Sequence, residues 1–260
     1  MDPSKKQASK FYSKAVDIMR HKKASGYLLI VALLLAFPAQ AGGTTDLYIT
    51  KYASDGITIL EETNVSWEWM MENLPIHGDG ATHYYYQGPI FKEAWKKEHP
   101  NAPYDRWNPE EDMNVLGKDM GKVMGSSVKD LCDLVGGMKP GDLAVIKAAD
   151  GFQKTIPYAN VYEPDPRQGV MIVSWYAIGL SSGGDEGYVP DDYREGMRLI
   201  FLADDSSNPW GKHVFGIEDM RRCLPEQFWH YYSYPDYPST TGYSVKYVES
   251  IEIYSKEPPR

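Results

Sequence analysis

The sequence predicts a β-dominated α+β domain with a mixed sheet and a long irregular insertion, and three observations predict it. Two turn signals, Ser54-Asp55-Gly56 and Asp150-Gly151, each stand between apolar runs, which is the pattern of a hairpin because such turns need residues that accept positive φ. The segment Ser126–Val135 combines hydroxyl caps, apolar residues at helical spacing and a Gly136-Gly137 stop, the marks of a short amphipathic helix. The closing segment Tyr243–Tyr254 alternates in polarity, as a half-buried strand does.

Taken in order, the chain begins with a segment unlike the rest. Lys5, Lys6, Lys10, Lys14, Arg20, Lys22 and Lys23 precede the apolar run Gly26–Phe37, which ends in Pro38 and the small-x-small sequence Ala39-Gln40-Ala41. A basic region, a short apolar core and a cleavage signal predict an export leader over residues 1–41 and a secreted or periplasmic protein starting near Gly42. The run is short of the roughly 20 residues that span a bilayer. The unusual basic length also suits an uncleaved signal anchor, which leaves the leader as the one expected membrane contact.

Leu47–Thr50 and Ile57–Leu60 flank the first turn and read as strands. Val65–Leu74 follows as a short helix with Ser66 as its cap, stopped before Pro75. Residues 77–125, rich in Gly, Pro, Asn and aromatics, read as an irregular insertion or flap. After the helix ending at Val135, Leu143–Pro157 forms the second hairpin. Gly169–Ala177 is an apolar run suited to a strand buried on both faces, and Met197–Leu202 resumes strand character after the polar stretch 181–195.

Charge and cysteine content narrow the function. Without the leader the chain carries 20 basic and 34 acidic residues, a net charge of −14. Nucleic acids and anionic membranes recruit clustered Lys and Arg, so the balance argues against both as partners. The only cysteines are Cys132 and Cys223. Export would allow them to pair, but Cys132 shares a helical face with Val128, Leu131 and Val135, which predicts a packed thiol instead. No His-Glu-x-x-His, phosphate loop or dinucleotide fingerprint occurs.

Four segments, Leu47–Leu74, Val128–Val135, Gly141–Tyr158 and the closing Ser244-Val245-Lys246 with Val248, Ile251 and Ile253, together resemble the sulfite oxidase-type molybdopterin-binding domain. The match covers roughly two thirds of the exported chain. The resemblance implies a single domain over residues 42–260 with an insertion at about 77–125, and it implies that Ser244 and Lys246 contact the cofactor. It also implies a thiolate ligand to molybdenum in an arginine-rich stretch between the first helix and the second half of the domain. Residues 77–125 have no cysteine and only Arg106. Export of the loaded family members goes with a twin-arginine leader, and here Arg20-His21-Lys22-Lys23 has no arginine pair. The reading is therefore an exported binding domain on this frame, without a competent molybdenum site and with no cofactor favoured; a molybdopterin-dependent oxidoreductase is the alternative.

Three further groups are candidates for chemistry. His77, Asp79 and His83 set two imidazoles and a carboxylate within seven residues, a possible divalent-metal ligand set, although solvated turns use the same residues. Asp185, Glu186, Asp191, Asp192, Asp204 and Asp205 offer oxygen ligands without a calcium-loop pattern. Trp107, Trp210 and Trp229 are candidate walls for a flat or small anionic ligand, with Lys246 supplying the charge. If the frame has lost its chemistry, aromatics from 77–125 and 204–237 are expected around the pocket and no thiol faces it.

Overall fold

A computed structural model of the chain describes residues 44–180, 187–191, 196–206 and 208–255, all within the unit Gln40–Arg260. The expected leader, the start at Gly42 and the carboxylates Asp185, Glu186 and Asp192 lie outside the described residues. The fold is mixed α+β and sheet-dominated. Among the described residues no helix is long and apolar enough to cross a membrane.

The first sheet is built around the two hairpins. Strands β1 (Asp46–Tyr52) and β2 (Ile59–Ser66) pair antiparallel around the first turn. Asp55 holds that turn by accepting the amides of Ile57 and Thr58 at 2.9 and 2.8 Å, so β2 starts at Ile59 rather than Ile57. Its last residue, Ser66, caps helix α1 (Trp67–Asn73) as expected, accepting the Trp69 amide at 3.3 Å. Strands β3 (Ile76–His77), β4 (His83–Tyr86) and β5 (Asp119–Ser127) follow, with helix α2 (Lys92–Glu98) between β4 and β5. Residues 77–125 are thus not irregular throughout: β4 and β5 are interior strands of the second sheet, and 78–82 and 87–118 run outside strands.

Helix α3 (Val128–Asp133) has Ser127 as its cap, with Oγ accepting the Asp130 amide at 3.0 Å. Gly136 and Gly137 both take positive φ, and Lys51 Nζ reaches their carbonyls at 3.1 and 2.7 Å, a cation placed where a helix exposes carbonyl oxygens. Strands β6 (Leu143–Ala148) and β7 (Gln153–Pro157) form the expected hairpin. Only Gly151 takes positive φ in its turn, at 88°; Asp150 instead accepts the Phe152 amide at 2.9 Å. A one-glycine turn of this kind suits the longer loop between Ala148 and Gln153.

Helix α4 (Tyr158–Tyr162), strand β8 (Val170–Ile178), the two-residue β9 (Gly187–Tyr188) and β10 (Arg198–Leu202) come next. Strand β8 lies between β5 and β10 and is buried along most of its length, as its apolar run predicts. Strand β11 (His213–Phe215), helix α5 (Ile217–Cys223) and the small ribbon of β12 (Tyr231–Ser233) and β13 (Tyr237–Pro238) precede the closing β14 (Val248–Tyr254).

Sheet one has the order β2-β1-β14-β6-β7, with β14 parallel to β1 and antiparallel to β6. Sheet two has the order β10-β8-β5-β4-β11, with β3 added at β5 and β9 at β8. One apolar cluster draws on both, from Leu47, Ile146 and Ile251 to Val123, Trp175 and Phe201. Each such side chain contributes about 1.5–3 kcal/mol by leaving water. The closing strand begins later than its sequence pattern suggests. Tyr247 adopts φ 53°, a left-handed residue that breaks the extended run, so Ser244 and Lys246 lie before β14 rather than on it.

Candidate functional site

The segment before β14 is laid against β10. Leu199 N donates to Val245 O at 2.9 Å and Val248 N to Met197 O at 2.8 Å, which ties the two sheets together by backbone. At this seam Arg198, 6 % exposed, donates from Nε to Ser244 Oγ. The Ser244 hydroxyl also lies 3.4 Å from Met120 Sδ. Lys246 follows two residues on and is half-buried. A planar guanidinium and a hydroxyl meeting at a seam, with a lysine two residues on, are donor types that recognise a small oxyanion. Sequence reasoning found Ser244 and Lys246 but missed Arg198, because nothing in Met197–Leu202 shows that its one cation turns inward.

The three candidate metal ligands have separate partners. His77 Nε2 lies 3.5 Å from Asp130 on α3, and His83 Nδ1 lies 2.8 Å from Asp119 on β5. Asp79 is turned onto its own loop: it accepts the amides of Thr82 and Ala81 and the Thr82 hydroxyl, which hold its pKa down at about 2. Among the described residues no group of three or more His, Cys, Asp or Glu is placed to hold a metal ion. The turn role of this loop accounts for Asp79, while the two histidines pair with carboxylates of α3 and β5. Of the acidic stretches, Asp204 likewise caps its own turn through Ser206.

The residues present do not fit a thiolate-ligated molybdenum. Cys132 is fully buried on α3, and burial pushes its thiol well above its ordinary pKa. Cys223, at the end of α5, is half-buried, with its pKa pushed up to about 12 by burial and then by neighbouring carboxylates. Both are free thiols, so the expected packing role of Cys132 holds. Cys132 packs among apolar residues, and Cys223 ends a helix outside residues 77–125, where the resemblance implies the ligand.

The tryptophans divide. Trp107, from the first irregular segment, meets Trp229 edge-on at 5.0 Å, and the guanidiniums of Arg106 and Arg221 lie 5.2 and 5.0 Å from the Trp107 ring. Trp210 sits in a turn held by Asn208 and is 51 % exposed. A cleft of about 700 Å³ opens at Pro140, Leu143, Pro157, Tyr158, Glu163 and Phe228 among others, with none of these tryptophans in its walls.

At the start of α5 lies a network that sequence reasoning did not find. Gly216 caps α5 but has no side chain to bond the helix amides. Glu111, from the 87–118 segment, supplies the missing carboxylate: its Oε1 accepts the Asp219 amide at 3.1 Å, and Asp219 Oδ2 accepts the Gly216 amide at 3.1 Å. Arg167 donates from Nε to Asp219 and approaches Glu111 at 3.7 Å. Burial raises the Asp219 pKa against these partners. The geometry secures a helix start from a loop 108 residues away, a structural use of charge. Comparison of the sequence with family models and with curated proteins gave no match to either.

Proposed function

We propose that the chain is an exported binding domain on a sulfite oxidase-like molybdopterin-binding frame, and that it takes a small anionic ligand rather than running molybdenum chemistry. The observation that carries this reading is the seam where buried Arg198 meets Ser244, with Lys246 two residues on. A buried guanidinium in an acidic chain suits an oxyanion, and Cys132 in the core with Cys223 outside residues 77–125 favours the metal-free reading.

The test is calorimetric titration of the full chain with sulfate, phosphate and a small dicarboxylate. Lys246→Met removes the charge and keeps most of the stem's packing. On this reading anion affinity falls about tenfold or more, the worth of one charge-assisted hydrogen bond, while the unfolding midpoint stays in place. Unchanged affinity dismisses Lys246. Stoichiometric molybdenum or tungsten in protein from its native host overturns the reading in favour of an oxidoreductase.

A further inference from the structure

Lys154 is not accounted for by anion binding at the seam. It lies on β7, the edge strand of the first sheet, two residues before the fully buried Ile156, so strand alternation puts both side chains on the inward face. Among the described residues no carboxylate pairs with its amine. Its hydrogen-bond partner is His230 Nδ1 at 3.0 Å, and the Tyr243 and Phe152 rings lie 5.1 and 5.7 Å away. Lysines taken out of water normally bring a counter-charge with them.

The surroundings are shaped around the ring that faces the amine. The His230 amide is spent on Met220 Sδ at 3.2 Å. Gly242 leaves the space for the imidazole, since a Cβ there would lie 2.1 Å from Nε2. Burial, and then the charge of Lys154, hold His230 down at about 4, so the ring is neutral at pH 7. The ammonium can only donate, so while Lys154 is charged Nδ1 is the acceptor and Nε2 carries the hydrogen. Tyr243 donates its hydroxyl to Phe228 O, and burial keeps that phenol protonated. Across the ladder Lys154 is in register with uncharged Ile146, and the neighbouring Lys147 is engaged by Glu252 at 2.6 Å. The groups in contact with this half-buried amine are thus neutral, and burial brings its pKa to about 8.

An inward-pointing lysine also protects an edge strand from pairing with another chain. That role needs a charge alone, and it uses neither the imidazole nor the space at Gly242. Buried amines that lose their charge near neutral pH are nucleophiles toward carbonyl carbon.

We propose that Lys154 is a nucleophilic amine site for a small aldehyde or ketone. The ammonium releases a proton to solvent, the nitrogen lone pair attacks the carbonyl carbon, and the carbonyl oxygen leaves as water. The product is an imine, and no oxidant or reductant is required. This site is separate from the seam, and its test involves neither Lys246 nor metal content.

The experiment treats the full chain with propanal and cyanoborohydride, which traps imines as stable amines, and measures the labelling rate of each lysine by peptide mass spectrometry from pH 6 to 10. The exposed Lys96 and Lys97 are internal references. At pH 7 Lys154 is expected to react at least about tenfold faster than these, because its larger neutral fraction outweighs its lower basicity. Its rate should rise through a midpoint near 8. Lys154→Arg assigns the peptide and should leave labelling at the references unchanged. Labelling at Lys154 no faster than at Lys96 and Lys97, or with their pH dependence, overturns the proposal and leaves edge protection as the lysine's role.

Discussion

Gly216 and Gly151 both need to be glycine, for opposite reasons. Gly151 has φ 88° and open space where a Cβ would go, so alanine there meets only backbone strain; Gly151→Ala should cost about 1 kcal/mol. Gly216 has an ordinary φ of −90°, but its Cβ would lie 1.9 Å from the Glu111 carboxyl carbon. Gly216→Ala should therefore dislodge the remote cap and leave buried carboxylates badly placed, a loss of about 2–4 kcal/mol in urea denaturation. Equal losses at the two positions would show that Glu111 is not the cap. The turn at Gly151 was legible because its residues are adjacent in sequence. Glu111 and Gly216 lie far apart in the chain, and neither carries a local mark of the other. The thiols give a second check at this scale: a chromogenic disulfide reagent should titrate two thiols in denatured protein, and in folded protein it should reach Cys223 slowly and Cys132 only on unfolding.

At the level of elements, legibility followed local chemistry. Helices α1 and α3 were readable because a serine stands at each start and a proline or glycine pair after each end. Ser127→Ala should destabilise by about 1 kcal/mol, and Ser66→Ala by less, because its bond is longer, at 3.3 Å against 3.0 Å, and more exposed. Thermal unfolding of the two variants checks the order. Strand β5 was not readable, and its glycines explain why. Gly125 sits at a register shift beside β8, where a Cβ would lie 2.4 Å from Val173 O, and a Cβ at Gly121 would lie 2.5 Å from Ile178 O. Close backbone approach demands glycine, and glycine erases the alternation that marks a strand. Strand β4 failed for another reason: His83-Tyr-Tyr-Tyr86 is half polar by side chain, and its burial arises from pairing with β5 and β11, which lie elsewhere in the chain. The closing strand shows the converse, since the pattern continued through Ser244 and Lys246 while Tyr247 broke the backbone.

For the whole molecule, the acidic balance seen in the sequence meets an interior that handles charge in two ways. Arg167 is set against buried carboxylates, whereas Lys154 is left beside the neutral ring of His230. The second arrangement has a measurable pH signature. The His230 pKa falls from 6.5 in the unfolded chain to about 4 in the fold, so between these values the unfolded state binds the proton more strongly. Stability from this group is complete above pH 6.5 and is lost as pH falls toward 4. Asp219 acts in the opposite sense. Its raised pKa lets the folded state hold a proton that the unfolded chain has released, so its contribution grows as pH falls toward 3.8. A single acid titration mixes the two, and a difference between variants separates them. His230→Gln keeps an acceptor for Lys154 but cannot take a proton, while the Asp219 effect remains. The wild type should lose about 1–2 kcal/mol relative to this variant between pH 7 and pH 4.5, after allowing for solvent screening of a half-exposed ring. Any packing lost with the imidazole shifts both ends equally and leaves the difference intact. Parallel stability profiles in urea would mean that the fold does not hold His230 neutral.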